Sequence, residues 1–353
     1  MTRHKVLVVD DSAFMRKLIT DMIAEDPEFE IVDTARNGQE AVDKTIRLRP
    51  DVITMDVEMP VKNGIDALRE IMTICPTPVI MLSSLTDAGN ELTIRALEIG
   101  AVDFVKKPSG SISVDLYKVK DRLMEKLRVA LQAKLQPRQE VQTGSLAMPI
   151  APPLVKAERS GQFRHLVAIG TSTGGPKALQ RVLPALPKHF PAPILIVQHM
   201  PPNFTRSLAG RLDVLSQIRV VEAEQDMPVE SGTAYIAPGG WHMGLHRTPG
   251  HQYLIRLSQD EPRNGHRPSV DYLFESLYER TELMRHLVLM TGMGGDGAHA
   301  MKHLRDSGVQ TTIAEAEETC VVFGMPKVAI ELQAASDVLP LHEIPRKLIE
   351  VVR

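Results

Sequence analysis

The sequence predicts two α/β domains, each a doubly wound, mainly parallel sheet, the second with a small antiparallel insertion. Three observations lead there. Short apolar runs of strand length alternate with longer amphipathic segments of helical period, the signature of βα units. A stretch with neither period, 136–162, interrupts the alternation and carries Pro137, Pro149, Pro152 and Pro153. The chain has 353 residues, enough for two domains of ordinary size on either side of it. The expected division is 1–125 with a helical extension to about 135, a partly extended linker over 136–162, and a second domain over 163–353.

In the first half KVLVV, EIVDTA, DVITM, TPVIML and VDFVK read as strands. SAFMRKLITDMIAED and NELTIRALEIG between them carry the helical period. In the second half LVAIG, PILIVQ, HLVLMT, VQTTIA and DVLP resume the strand pattern. GTAYIAPGG, HMGLHR and QYLIRLS are short, alternating and bounded by turns, and they predict the antiparallel patch.

Composition narrows the function classes. Apolar residues reach 43% and aromatics only 4%, so the cores are filled by aliphatic side chains and Met. The net charge of −3 is spread without a basic block, which argues against a nucleic-acid partner. Two cysteines, Cys75 and Cys320, make no disulfide framework or zinc spacing and fit a reducing cytoplasm. No apolar run approaches the ~18 residues a membrane span needs. The first strand starts within about five residues of Met1, so no signal peptide is expected.

The first half places carboxylates at strand ends. Asp10 and Asp11 end the first strand and Asp56 the third. In a parallel sheet those ends share one rim. Three carboxylates meeting there repel one another unless a hard divalent cation such as Mg²⁺ sits among them. Ser83 ends the fourth strand and Lys107 the fifth, a hydroxyl and an ammonium suited to a phosphoryl group beside the metal. The plainer readings are that Asp11 or Ser12 caps the next helix, that Asp56 is a turn residue, and that Phe104 is core packing.

The second half opens on LVAIGTSTGGPKALQ, Leu166–Gln180. A phosphate-binding loop of the G-x-x-x-x-G-K-[ST] type needs lysine directly after its last glycine, and Pro176 stands there. The pattern G-x-S-x-G does fit, through Gly170, Ser172 and Gly174, in the strand–turn–helix setting that exposes a nucleophile. The competing reading is a helix cap at Ser172 or Thr173. A nucleophilic serine needs a base and an orienting acid. Position selects among twelve histidines: His199 follows the next strand and falls on the same rim. HLVLMTGMGGDG ends a further strand in a glycine-rich loop that carries Asp296. Eight others, His266 among them, read as solvated or structural, and His299 stands too close to Asp296 in sequence to be the first choice of base. The order Ser172, His199, Asp296 differs from the Ser–Asp–His order of the α/β-hydrolases.

Two resemblances follow from these motifs. Residues 5 to about 125 resemble the receiver domain of two-component response regulators, through Asp10-Asp11, Asp56 with Met59-Pro60 and Gly64, Ser83, Phe104 and Lys107-Pro108. That resemblance implies a flavodoxin-like fold with Asp56 phosphorylated by a histidine kinase. It implies Mg²⁺ held by Asp10, Asp11, Asp56 and the Glu58 backbone carbonyl, and Ser83, Phe104 and Lys107 as switch residues. Residues 164–353 resemble the chemotaxis methylesterase catalytic domain, through AIGTSTGGP, VQHMPPNFTRSLAGRL, AYIAPGGWHM, HRPSVDYLFESL and TGMGGDGA. The resemblance implies a Rossmann-like hydrolytic domain. It implies metal-free cleavage of glutamate γ-methyl esters and deamidation of glutamines on chemoreceptors, with a chemotaxis kinase as phosphodonor. Thr173 and Met293 backbone N–H groups would form the oxyanion hole.

A cytoplasmic, monomeric protein is expected, with the unphosphorylated receiver packed near Ser172 and barring access to it. The alternatives are a response regulator whose second domain only binds, and a methylesterase paralogue serving another signalling array.

Overall fold

The computed structural model describes residues 3–83, 86–107, 114–135 and 163–353. The predicted linker 136–162 and Pro108 lie outside the described residues.

The first domain runs β1 (His4–Val9), α1 (Ala13–Ala24), β2 (Phe29–Ala35), α2 (Gly38–Leu48), β3 (Val52–Asp56), α3 (Gly64–Ile74), β4 (Val79–Ser83), α4 (Asp87–Ile99), β5 (Asp103–Lys106) and α5 (Val114–Gln132). Its five strands lie in the order β2-β1-β3-β4-β5, all parallel. Both sheet faces are covered by helices, so these strands are near-continuous apolar runs. Val6 to Val9 of β1 are fully buried. Short polar side chains start the helices: Ser12 accepts from the Met15 N–H and Asn37 from the Glu40 N–H. Ser12 therefore holds the cap that the sequence left open between it and Asp11, and Asp11 stays exposed on the rim.

The second domain runs β6 (His165–Thr171), α6 (Gly175–Val182), β7 (Ile194–Gln198), α7 (Phe204–Leu215), β8 (Arg219–Glu222), β9 (Thr233–Ile236), β10 (His242–Arg247), β11 (Tyr253–Ser258), α8 (Val270–Glu275), β12 (Met284–Leu289), α9 (Ala298–Asp306), β13 (Thr311–Glu315), α10 (Met325–Glu331), β14 (Asp337–Leu339) and α11 (Ile344–Val351). Seven strands form one parallel sheet in the order β14-β13-β12-β6-β7-β9-β8. The order reverses between β6 and β12, where the chain leaves the sheet centre in opposite directions. In an open α/β sheet a site forms in the crevice at that reversal, beyond the carboxyl ends of the strands.

The antiparallel insertion is the β10–β11 pair, HMGLHR against YLIRLS, His242 opposite Ser258. GTAYI does not belong to it. That run is β9, parallel to both β7 and β8, with Ile194 opposite Ala234. All four β9 residues are buried, so main-sheet packing overrides the turn-like glycines around them.

The two domains pack directly on each other. One apolar cluster includes Phe104 and Leu97 from the first and Phe190, Phe204 and Leu208 from the second. The Phe104 and Phe204 rings are 4.4 Å apart, centroid to centroid. Glu98 of α4 accepts from Gln180 (2.7 Å) and from Arg211 (2.7 and 3.2 Å).

Candidate active site

The carboxyl rim of the first sheet assembles as the strand ends require. Asp10, Asp11 and Asp56 offer carboxylate oxygens that lie within 4.8 Å of one another. Lys107 Nζ stands 2.7 Å from Asp10 Oδ2 and 2.7 Å from Asp56 Oδ2. Burial pushes the Asp56 carboxyl up to about 6, against the pull of Lys107, and the Asp10 charge adds to the rise. Burial alone would lower the Lys107 ammonium, but Asp10 and Asp56 outweigh it and raise it. An oxygen-only donor set with surplus negative charge fits a hard divalent cation. The Glu58 backbone N–H donates to Asp56. Ser83 is fully buried at the end of β4 and its hydroxyl accepts from Thr93 Oγ1 (2.7 Å).

In the second domain the turn after β6 is sharp. Gly174 takes φ 81° and no side chain caps α6, so neither Ser172 nor Thr173 is the helix cap. Gly175 N–H donates to Ser172 O (2.8 Å) and closes the turn. Ser172 N–H donates to Thr291 O (3.0 Å), and Gln198 Nε2 to Ser172 O (3.0 Å). The loop after β12 passes so close that a Cβ on Gly292 would lie 2.8 Å from Ser172 Cβ. Three strand ends thus share one crevice at the sheet's reversal, as the sequence predicts.

His199 and Asp296 meet there directly, Nε2 to Oδ2 at 2.8 Å. Asp296 is buried and takes three further donors: Ser269 Oγ (2.8 Å), Val270 N–H (2.7 Å) and Asp271 N–H (3.0 Å). Burial raises its carboxyl, but the His199 contact and the backbone donors outweigh that and hold it down at about 2. Asp296 is therefore anionic at neutral pH. It fixes the imidazole with Nε2–H toward the carboxylate and leaves Nδ1 as the basic nitrogen. That Nδ1 is buried and has no hydrogen-bond partner. Among the described residues no hydrogen bond joins it to Ser172. The N–H groups of Thr173 and Met293 donate to no other group among the described residues, so both are free to face an anion. Met293 is partly exposed at the mouth, and Thr173 is buried.

Sequence reasoning missed two members. His266 is not a solvated loop histidine: its ring stacks on His199, 3.9 Å between centroids and 8° from parallel. Burial and the neighbouring His199 hold it down at about 4, so it is neutral at pH 7. Its signal was its place in HRPSVDYLFESL, the stretch that also delivers Ser269 and Val270 to Asp296. The second is Asp103 of β5, in the first domain. Thr173 Oγ1 donates to Asp103 Oδ2 at 2.6 Å, and Lys126 Nζ of α5 reaches the same oxygen at 2.5 Å. The first domain therefore stands against the residue that follows Ser172. Lys134 at the end of α5 is also tied to the second domain, by its N–H to Val321 O (3.1 Å) and by Nζ to Glu317 (2.8 Å).

The fold and site define a hydrolase domain of parallel α/β design joined to a phosphoacceptor domain of response-regulator type. Comparison with known proteins makes this particular. A response regulator receiver domain model matches residues 6–114, and a CheB methylesterase model matches residues 167–348. The chain is 50% identical over 349 residues to a protein-glutamate methylesterase/protein-glutamine glutaminase of Halalkalibacterium halodurans, covering 99% of this chain and 98% of that one. It is 50% identical over 356 residues to one of Geobacillus kaustophilus, covering 100% and 99%. The crystal structure of the Thermotoga maritima CheB methylesterase catalytic domain is similar at 48% identity and a TM-score of 0.52, over 53% of this chain and 98% of that one. The chain belongs to the CheB methylesterase family, with a receiver domain at its amino-terminal side. No helix among the described residues is long and apolar enough to cross a membrane.

Proposed function

We propose that this protein is a phosphorylation-regulated serine hydrolase of the cytoplasm that removes γ-methyl esters from glutamates of chemoreceptors and deamidates receptor glutamines. The observation that carries the reading is the His199–Asp296 pair, with a buried Nδ1 left unpartnered in the crevice that holds Ser172. The names of the relatives supply the substrate class.

Ser172 Oγ attacks the γ-carbonyl while His199 Nδ1 takes its proton. The proton then passes to the leaving methanol or ammonia, and water repeats the sequence to free Ser172. Asp296 keeps the imidazole in the tautomer this needs and stabilises its positive charge. Thr173 and Met293 N–H groups hold the oxyanion, each worth about 10²–10³ in rate. Ester and amide pass through the same kind of tetrahedral species, so one site serves both. No metal is assigned to this step.

Asp56 takes the phosphoryl group from a chemotaxis histidine kinase. Asp10, Asp11, Asp56 and the Glu58 carbonyl would hold Mg²⁺, which when bound supplies positive charge beside the incoming phosphate. Lys107 moves from bridging Asp10 and Asp56 to the phosphoryl oxygens, and Ser83 turns its hydroxyl to them. Phe104 then leaves its place against Phe204, and the Asp103–Thr173 contact opens. In the resting form the receiver bars access to Ser172. The protein acts as a monomer.

The test is release of volatile methanol from receptor membranes carrying labelled methyl esters. Release that rises with a phosphodonor and vanishes in Ser172→Ala is expected. Release unaffected by Ser172→Ala contradicts the assignment.

A further inference from the structure

Behind Asp296 lies a second buried carboxylate that the chemistry above does not use. Asp271, in the first turn of α8, is almost wholly enclosed. Its Oδ1 accepts from Ala300 N–H at 3.1 Å, and the Gly297 N–H also points to it, both at the start of α9. Asp296, just before α9, accepts in turn from Ser269 Oγ, Val270 N–H and Asp271 N–H at the start of α8. The two helix starts are therefore crossed, each held by the acid that belongs to the other.

The arrangement is costly for a simple helix cap. Asparagine caps a helix as well as aspartate does. A second carboxyl beside a buried anion is disfavoured by both desolvation and repulsion. Burial and the Asp296 charge push the Asp271 carboxyl up to about 6. What the crossing adds is rigidity at one point. Turning Asp296 Oδ2 would break its bond from the Val270 N–H at the start of α8. Helices α8 and α9 have no room to shift toward the sheet: a Cβ on Gly297 would meet Val270 Cγ1 at 2.4 Å, and a Cβ on Gly170 the same methyl at 2.3 Å.

We propose that Asp271 is a positioning residue for the acid of the Ser172–His199–Asp296 site, its carboxyl and that of Asp296 forming a reciprocal clasp across α8 and α9 that fixes the direction from which Asp296 Oδ2 meets His199. The inference rests on the hydrolase reading above and adds a residue that touches neither substrate nor reacting atoms. Misplacing a catalytic group by about 1 Å costs about a hundredfold in rate without weakening substrate binding.

The test compares Asp271→Ala and Asp271→Asn in the full chain with a phosphodonor present. Leu304→Ala, a core truncation in α9 away from the clasp, serves as the stability control. The readouts are kcat and KM for methanol release, the rate at which a fluorophosphonate labels Ser172, and the melting temperature. Asp271→Ala should lower kcat and the labelling rate about tenfold to a hundredfold with KM unchanged. Asp271→Asn keeps an oxygen for the Ala300 N–H and should recover most of that loss. Leu304→Ala should lose melting temperature but keep kcat. If Asp271→Ala behaves as Leu304→Ala does, or if Asp271→Asn is as impaired as Asp271→Ala, the clasp does not position the acid. Should Asp271→Ala fail to fold, Asp271→Ser takes its place with the same expected outcome, its hydroxyl being too short to span to Ala300. Ser172→Ala is run beside them. Turnover that survives in it overturns the hydrolase reading itself, whatever Asp271 does.

Discussion

Thr173, the residue that follows Ser172, donates its hydroxyl to Asp103 of the receiver strand β5 at 2.6 Å. Asp103 Oδ1 in turn accepts the N–H of Phe104, whose ring lies against Phe204 of the catalytic domain. A single receiver residue therefore touches both Phe104 and the turn that carries Ser172. Asp103→Ala is expected to raise methanol release in the absence of a phosphodonor about tenfold, the scale of one charged hydrogen bond. Basal release equal to that of the unchanged protein contradicts this.

Glu98 holds the same interface further out, where Arg211 is part exposed. Ion pairs of this kind contribute little and are screened by salt. Glu98→Ala should raise basal turnover only about twofold to threefold. It should also blunt the dependence of basal turnover on ionic strength between low and moderate salt. A tenfold effect would mean that this pair, not Asp103, carries the domain contact.

Phosphate incorporation from a small acyl phosphate should require Asp56 and a divalent cation. Asp56→Asn removes the acceptor oxygen and should abolish incorporation. A chelator should do the same to the unchanged protein, because Lys107 alone cannot balance three carboxylates and an incoming phosphate. Incorporation that persists with a chelator would show that the acidic rim needs no metal.

His286 and His165 stack near the amino ends of the central strands β12 and β6, ring nitrogens 3.0 Å apart. Burial and the neighbouring His165 hold His286 down at about 4, whereas in the unfolded chain it titrates near its ordinary 6.5. The unfolded state then binds the extra proton between those values. Its contribution to stability is full above about 6.5 and is lost as the pH falls toward 4. The slope is up to about 1.4 kcal/mol per pH unit for this one group. His286→Gln keeps a polar side chain and cannot titrate, so urea unfolding at pH 4.5 and pH 7 should differ less in the variant. An unchanged difference contradicts the assignment.

The strand ends were the legible part of both sites. Asp10, Asp56 and Lys107 follow continuous buried runs, and a parallel sheet then dictates that they share a rim. The same logic put Ser172, His199 and Asp296 at neighbouring strand ends, since β6, β7 and β12 are adjacent and buried toward their carboxyl ends. β9 was misread as antiparallel because period and turn residues describe a strand's faces and ends, not its partner. β8, a half-exposed four-residue strand, carries too short a pattern to be read. His266 and Asp271 come from the loop and short helix between β11 and β12. What brings them to the site is the Asp296 carboxylate, capping α8 from the loop just before α9, a tertiary contact without sequence periodicity. Asp103 was invisible for the same reason, because only packing of one domain on the other brings it to Thr173.

The proposed function stands on Ser172 being a nucleophile activated by His199 and Asp296. Mass spectrometry after treatment with a fluorophosphonate tests it most directly, in the unchanged protein and in His199→Gln. An adduct on Ser172 is expected in the first, formed at least about a thousandfold more slowly in the second. Absence of the adduct, or equal labelling of Ser172 in His199→Gln, would contradict it.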